Sequence, residues 1–405
     1  MKKLLCYSDC FVFGGCENVI VNLMRSPLLT EKFEVRFAYR SHPAYDSVLS
    51  TRLSSNESLR PLCIASNETR FYNLQRSHLP WPLELRSKFF FAILDRLGFY
   101  FLWNVMRLTL LFRKERPDVL HINNGGYPGA ASCRQAVIAA KLAGVPRIIF
   151  MVNNLAFPPR GIWDRLLDRV VRSNVTRFLT ASKAAADRLA EARGIERSRI
   201  DSIPNTVADA VCDRSRGDLR AEFGIAESDF VLAAVGLLTE RKGQSLLIAA
   251  LAALARADIR LLLIGEGEDR GALERTVREM GLEGQVLFLG QRPDPLNYMQ
   301  AADVVVVPST RDEDMPYVVL EAMSLGRPVI ATHVGGIAEE IRDGVDGLLV
   351  DPGQVGQLAA AILKLYDDRP LARAMGDSGA QRSRAEFDYD RITRRFVDLY
   401  RGMNP

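Results

Sequence analysis

Residues 308–341 read PSTRDEDMPYVVLEAMSLGRPVIATHVGGIAEEI, and their pattern decides what the surrounding chain must be. The β-branched run Val304 to Val307 just before them reads as a buried strand that stops at Pro308. A loop carrying Glu313 follows, and the apolar spacing from Tyr317 to Leu325 predicts a helix with Glu321 in its first turns. Gly326 and Pro328 end that helix before a further strand, Pro328 to Thr332. Strand, loop, helix and strand in so short a stretch form a βαβ unit, which calls for a parallel sheet covered by helices. Ligands of such sheets lie beyond the carboxyl ends of the strands, so Glu313 and Glu321 are expected to reach one ligand from two directions. Carboxylates accept hydrogen bonds from sugar hydroxyls, and the helix start around Met315, Pro316, Tyr317 and Val318 offers amides to a phosphate.

Working outward, the same alternation recurs along the whole chain. Strands are expected near Lys3 to Ser8, Val35 to Tyr39, Val119 to Ile122, Arg147 to Val152, Arg177 to Thr180 and Ile200 to Ile203. A second series runs through Asp229 to Val235, Arg260 to Ile264, Gln285 to Leu289, Val304 to Val307, Pro328 to Thr332 and Gly347 to Val350. Between the series lies the polar, irregular stretch NTVADAVCDRSRGDL. The expected organisation is therefore a first α/β domain over 1–210, a second over 211–385, and a last helix over 386–405 that packs back toward the first. Two such domains would face each other across a cleft, the default place for a nucleotide or phosphorylated ligand. The region 41–85, with Pro43, Pro61, Pro80 and Pro82, has weak periodicity and no assigned course.

Composition narrows the partners. The chain has 405 residues, 48% hydrophobic and 25% charged, which excludes disorder and favours two packed domains. Lys plus Arg total 53 against 49 acids, a net charge of +4, too mild and too dispersed for a nucleic-acid binder. The cysteines at 6, 10, 16, 63, 133 and 212 form no CxxC pair and no zinc spacing, so thiols in a reducing cytoplasm are expected. MKKLLCYSDCFVFGG reads as a first strand running into a glycine turn, not as a secretory leader. The segment 89–112 is rich in aromatics, but Asp95, Arg96, Asn104 and Arg107 interrupt it, which argues against a membrane span. It reads as a strongly buried helix pair or as an amphipathic surface that rests on a bilayer or on a protein partner. Its basic flanks suit an anionic headgroup layer, and its aromatic content suits an oligomer contact equally.

Gly14 and Gly15 form a turn at the start of a helix, where free amides can meet an anion. The turn lacks the third glycine of a dinucleotide fingerprint, as does Gly265-Glu266-Gly267, so nicotinamide or flavin binding is not expected.

The stretch 308–341 resembles the retaining glycosyltransferases of family 4, which have the two-domain GT-B architecture and use nucleotide sugars. Glu313, Pro316, Leu320, Glu321 and Ala322 match their EGFP-x-x-x-LEA frame, with Asp314 and Met315 in place of the usual Gly and Phe. The likeness continues through Gly326, Pro328, Gly335, Gly336, Glu339, Gly344 and Gly347 to Pro352. VGLLTERKGQ resembles the family's GRL-x-x-x-KG loop through Gly236, Lys242 and Gly243, with Leu237 at the position of its Arg. Pro204-Asn205-Thr206-Val207 resembles its PNGV segment, and Ser182 opens a helix in a family-like position.

The resemblance implies an α/β GT-B fold, two Rossmann-like domains facing across a cleft, in a cytoplasmic enzyme that can sit at the inner membrane face. It implies that Glu321 binds ribose hydroxyls and Glu313 holds the transferred sugar. Residues 315–318, Gly236 and Lys242 would contact the diphosphate, with Arg241 as the neighbouring cation in place of the missing Arg. Gly15 would face the diphosphate and acceptor, beside the cleft-lining Gly14, His121, Asn123 and Asn124. Asn153 stands at the family's sugar-contacting His; it exchanges hydrogen bonds but carries no proton charge. No metal and no cofactor is implied beyond a UDP- or GDP-sugar donor. The expected reaction is transfer of a hexose, with retention, to a glycan or lipid-linked acceptor in cell-surface polysaccharide synthesis. Two other readings stay open: a small natural-product acceptor, and a nucleotide-sugar-binding protein without turnover.

Overall fold

The computed structural model describes residues 1–10, 13–53, 58–64, 98–208 and 212–403. These fall into two compact units: residues 1–180, 186–203 and Thr393 onward in the first, and Ala181–Ala185 with Pro204–Ile392 in the second.

The first unit is built on a seven-stranded parallel sheet of β1 (Lys2–Ser8), β2 (Phe33–Arg40), β3 (Leu59–Leu62), β4 (Val119–Asn124), β5 (Arg147–Val152), β6 (Arg177–Thr180) and β7 (Ile200–Ser202). Its spatial order, β3-β2-β1-β4-β5-β6-β7, reverses between β1 and β4, where Leu4 pairs with Val119 and Ser8 with Asn123. The helices are α1 (Gly15–Arg25), α2 (Pro27–Thr30), α3 (Pro43–Arg52), α4 (Phe99–Glu115), α5 (Ala131–Ala143), α6 (Ile162–Asn174) and α7 (Lys183–Arg193), the first residues of α7, through Ala185, belonging to the second unit. Parallel strands covered on both faces need apolar residues at successive positions. Leu4 to Tyr7 and Ile148 to Val152 supply them and are all buried. The aromatic stretch singled out in the sequence has residues 98–112 on α4 and the residue before it; 89–97 lies outside the described residues.

The second unit has a six-stranded parallel sheet in the order β10-β9-β8-β11-β12-β13. Its strands are β8 (Phe230–Val235), β9 (Ile259–Ile264), β10 (Val286–Gly290), β11 (Val304–Val307), β12 (Val329–Thr332) and β13 (Gly347–Val350). Around it lie α8 (Arg216–Glu222), α9 (Gln244–Leu254), α10 (Arg270–Glu279), α11 (Pro295–Ala301), α12 (Tyr317–Ser324), α13 (Ile337–Glu340), α14 (Val355–Asp367) and α15 (Arg369–Glu386). The strand order again reverses next to the first strand, between β8 and β11. Each fully buried Leu, Val or Phe of these strands contributes about 2 kcal/mol by leaving water.

The last helix, α16 (Tyr389–Arg401), buries Ile392, Phe396, Val397 and Tyr400, the stripe its sequence period predicts. In the first unit, the Arg395 guanidinium donates to the Ser202 carbonyl at 2.7 Å, and Arg147 donates to the carbonyls of Leu399 and Tyr400 at 3.2 Å.

Candidate functional site

In the second unit the residues expected to act together gather beyond the carboxyl ends of β8 and β11, the strands that flank the reversal. Val235 ends β8 at Gly236, and a single 3-10 turn, Glu240–Lys242, brings Arg241 and Lys242 alongside the loop after β11. Thr310 donates from its backbone N–H to the Arg241 carbonyl at 2.8 Å, stitching the two loops together. Glu313 is the meeting point. Its Oε1 accepts from Lys242 Nζ at 2.5 Å, from Arg241 Nη1 at 2.8 Å and from Ser309 Oγ at 2.8 Å. Arg241 Nη1 also donates to the Asp312 carbonyl at 2.9 Å, and Thr332 Oγ1 at the end of β12 donates to the Ser309 carbonyl. The carboxylate is buried, and among the described residues its Oε2 takes no hydrogen bond. Two cations therefore converge on one acid. Leu237, at the position of the family's Arg, is 58% exposed, while Arg241 stands beside Lys242.

Two glycines let these loops approach so closely. Gly243 has φ +70°, and a Cβ there would run into the Pro308 carbonyl. Gly335 has φ +55°, and a Cβ there would strike the Glu313 carbonyl oxygen. The segment Met315 to Val318 leads into α12, with Pro316 in extended conformation as its N-cap and Glu321 half-buried on the helix. Asn205 Nδ2 donates to the Met315 carbonyl at 2.6 Å, and Thr206 Oγ1 to the Phe387 carbonyl at 2.6 Å. The Pro204–Val207 segment thus braces the loop from below.

Sequence reasoning named Asp314 and Glu339 but gave the acids on the other side of this loop no role. Asp314, which fills the family's Gly position, is buried, and its Oδ2 accepts from the Ala181 N–H at 3.1 Å. Glu339 accepts from the N–H groups of Lys183 and Ala184 at 3.0 and 2.8 Å, capping the start of α7. Glu340 is fully buried, and neither carboxyl oxygen has a hydrogen-bond partner among the described residues. Burial, helped by the nearby charges of Asp314 and Glu313, holds the Glu340 carboxyl well above the usual carboxylate range, and so neutral. Burial also raises Asp314, from 3.8 to about 6, against the hydrogen bonds it accepts from Ser182 and Ala181. Nothing local in the sequence marks how Asp314 is held, because its partner Ala181 lies more than a hundred positions away.

In the first unit, Gly14, Gly15, Asn123, Asn124 and Asn153 gather at the carboxyl ends of β1, β4 and β5. Gly15 opens α1, and the Glu17 side chain folds back to accept from the Gly14 N–H at 3.1 Å. Asn123 Nδ2 donates to the Cys16 carbonyl at 3.0 Å. Asn153 Nδ2 donates to Asn123 Oδ1 at 2.8 Å and to the Asn124 carbonyl at 3.0 Å. Asn153 Oδ1 is left as a buried acceptor with no partner among the described residues. His121 does not join them. It is fully buried within β4, its Nδ1 is 2.6 Å from the Tyr400 hydroxyl, and burial lowers its pKa to about 3. It is a neutral core histidine locking α16 in place, not a residue lining a cleft. Among the described residues, a grouping of His, Cys, Asp and Glu close enough to share a metal forms at Cys10, Cys16 and Glu17, not around Glu313.

Two family models divide the chain. Residues 13–211 match "Glycosyltransferase Family 4" and residues 215–382 match "Glycosyl transferases group 1". The chain is a relative of these glycosyltransferases. It is 33% identical over 254 residues to the D-inositol 3-phosphate glycosyltransferase of Mycolicibacterium smegmatis, covering 60% of this chain and 57% of that protein. It is 27% identical over 296 residues to the lipopolysaccharide core biosynthesis glycosyltransferase LpsE of Rhizobium meliloti, covering 73% and 78%. The chain spans about half the length of the first inositol-phosphate relatives it matches, 51% and 57%. Among solved structures, Anabaena HepE in complex with UDP-glucose aligns over 100% of both chains, with a TM-score of 0.79 and 20% identity. That likeness gives the GT-B fold, and its two Rossmann-like halves correspond to the two sheets seen here. No helix among the described residues is long and apolar enough to cross a membrane.

Proposed function

We propose that this chain is a retaining glycosyltransferase that moves a hexose from a nucleoside-diphosphate sugar to a hydroxyl of a glycan or lipid-linked acceptor. The observation that carries this reading is the convergence of Lys242 and Arg241 on Glu313 at the mouth of α12. An anion and a hydroxylated ring can be met there at once. Glycosyl transfer needs negative charge stabilised on the departing diphosphate and positive charge tolerated at the sugar carbon. Lys242 and Arg241 supply the first, together with amides at the start of α12, where the helix dipole favours an anion. Glu313 Oε2 supplies the second by holding sugar hydroxyls while Oε1 stays pinned. Glu321, on the following turn, binds the ribose. In the first unit Asn153 Oδ1, a buried acceptor with no partner among the described residues, takes a hydroxyl of the transferred sugar or of the acceptor.

The chemistry so drawn uses no protein nucleophile: as the bond from the anomeric carbon to the diphosphate breaks, the acceptor hydroxyl bonds to that carbon on the same face and passes its proton to the departing diphosphate oxygen, so the anomeric configuration is retained. We assign no metal to the reaction. Asp314, which flanks Glu313 in sequence, accepts from Ala181 through one oxygen instead of sharing a ligand with Glu313. A lipid-linked acceptor would place the enzyme in the cytoplasm at the anionic inner face of the membrane.

A smaller acceptor is the second reading, favoured by the 33% identity to an enzyme named for inositol 3-phosphate. One experiment addresses both. The purified chain is incubated with a panel of UDP- and GDP-sugars, beginning with UDP-glucose, and release of nucleoside diphosphate is followed without acceptor, with inositol phosphate, and with a membrane extract. Slow hydrolysis of one donor, accelerated by one acceptor class, is the expected result. No release from any donor under any condition would refute the assignment as a transferase.

A further inference from the structure

We propose that Cys10, Cys16 and Glu17 form a zinc site at the glycine turn of the first unit. Cys10 lies just beyond the end of β1, and Cys16 and Glu17 lie in the first turn of α1. Gly14 and Gly15 therefore fall inside the loop that these ligands close. The spacing matches no zinc motif, and only the fold brings the side chains together.

Their ligand atoms all lie within 4.8 Å of one another. Cys10 Sγ and Cys16 Sγ are 3.9 Å apart. Two sulfurs on one tetrahedral zinc, each at about 2.3 Å, stand about 3.8 Å apart, so the pair is already set at the separation the metal needs. The Cys16 thiol donates to Glu17 Oε2 at 2.9 Å. With zinc in place of the thiol proton that gap opens to about 3.6 Å, a shift that small rotations of the two side chains supply. On binding, the two thiol protons leave to solvent, and the ion takes two thiolates and one carboxylate with water at the fourth corner. Such a set selects a thiophilic ion over magnesium or calcium.

The surroundings orient the ligands and suit their charge. Ser8 Oγ donates to Glu17 Oε1 at 3.1 Å, and the Gly14 N–H donates to Oε2 at 3.1 Å, which fixes the carboxylate. Ser8 Oγ is also 3.7 Å from Cys10 Sγ. The zinc complex carries a single negative charge at the start of α1, where the helix dipole favours it. Asp9, the neighbouring acid, takes no part, because its carboxylate is bonded to Arg40 and Ser132. Tyr45, on α3, is fully buried, and its hydroxyl has no hydrogen-bond partner among the described residues. The charges that act most on that hydroxyl are those of Glu17, Cys10 and Cys16. A metal-bound thiolate accepts the hydrogen bond that Tyr45 otherwise lacks. Both cysteines are half-buried, which leaves the ion a way in. The site is independent of the proposed function: zinc pins the end of β1 to the start of α1 and enters no step of the transfer.

The test is zinc titration of the full chain, stripped with a chelator and kept reduced with a phosphine, in competition with a zinc-indicator dye. Cobalt(II) replaces zinc in a parallel titration read by absorption. The wild-type chain should take up about one ion, show the strong visible bands of tetrahedral cobalt with a cobalt–thiolate band in the near ultraviolet, and unfold at a higher temperature with zinc than without. Cys10→Ser and Cys16→Ser should each weaken zinc about 100-fold or more and diminish the thiolate band. Tyr45→Phe should weaken zinc about tenfold and keep the tetrahedral bands. Cys63→Ser with Cys212→Ser should bind as the wild type does. Uptake that survives Cys10→Ser combined with Cys16→Ser, or no uptake by the reduced wild-type chain, would overturn the proposal. So would a chain that takes up no zinc when reduced but joins Cys10 to Cys16 on exposure to hydrogen peroxide, which would give the pair to a disulfide.

Discussion

At the scale of single residues, Lys242 and Asp314 sit on opposite sides of the Glu313 loop and have opposite consequences. Lys242 is bonded to Glu313, and the proposed function has it stabilise the departing diphosphate. Lys242→Ala should lower kcat by about 100-fold, a typical loss for removing one group that stabilises developing charge, with a much smaller change in donor affinity. Steady-state kinetics in the donor would show the split; an unchanged kcat would mean that the lysine only braces the loop. Asp314 carries a cost instead. Its folded-state pKa of about 6 lies above the ordinary 3.8, so the folded state holds the proton more tightly than the unfolded chain. The resulting stability is complete below pH 4 and is lost as the pH rises through 6, a change of about 3 kcal/mol at most. Asp314→Asn keeps an acceptor for the Ala181 N–H but does not titrate. Its unfolding temperature should therefore fall less than that of the wild type between about pH 4.5 and about pH 7.5, a span that brackets the loss through 6. Parallel pH profiles for the two proteins would contradict the buried-acid account.

At the scale of elements, the loop after β11 takes its shape from its neighbours more than from its own residues. Gly335, two strands' ends away, lies against the Glu313 carbonyl with a positive φ, so Gly335→Ala must push the loop or strain its own backbone. A loss of about 1–3 kcal/mol of stability together with weaker donor binding is expected. Thermal unfolding and titration with nucleotide measure the two effects, and a variant that is stable and binds normally would show that the loop tolerates movement. How much of this was legible beforehand depended on distance along the chain. The strand Val304–Val307 and the helix Tyr317–Ser324 follow from local period and from Gly326 and Pro328, and they stand where that pattern put them. The convergence of Lys242 with Glu313 became readable through the family frame. The tethering of Asp314 to Ala181 was not, because it joins backbone to side chain across 133 positions. Helix α6 carries a readable helical period in Ile162, Trp163, Leu166, Leu167, Val170 and Val171, but Ile162, Trp163, Leu166 and Val170 are exposed, so the period marks a helix without telling which face the core covers. Strand β3 is four residues long and contains Pro61, which an edge strand of the sheet tolerates but which breaks the sequence signal.

At the scale of the whole molecule, two parallel sheets each reverse their strand order once, and each puts its polar residues beyond the carboxyl ends at that reversal. In the second unit those residues are the cations and acids around Glu313; in the first they are glycines and asparagines. Buried neutral groups such as His121 and Glu340 sit behind them. The charge of +4 is therefore not spread without meaning, since Arg241 and Lys242 stand at the candidate site. The central claim is that the second unit binds a nucleotide sugar through Glu321 and the Glu313 cluster. Its most direct test is calorimetric titration of UDP, GDP and their glucose derivatives into the wild-type chain and into Glu321→Ala. One nucleotide series should bind the wild type, with affinity reduced about tenfold or more in the variant, as expected for the loss of a charged hydrogen-bonding partner. Equal affinity in the two proteins, or no binding to either, would contradict it.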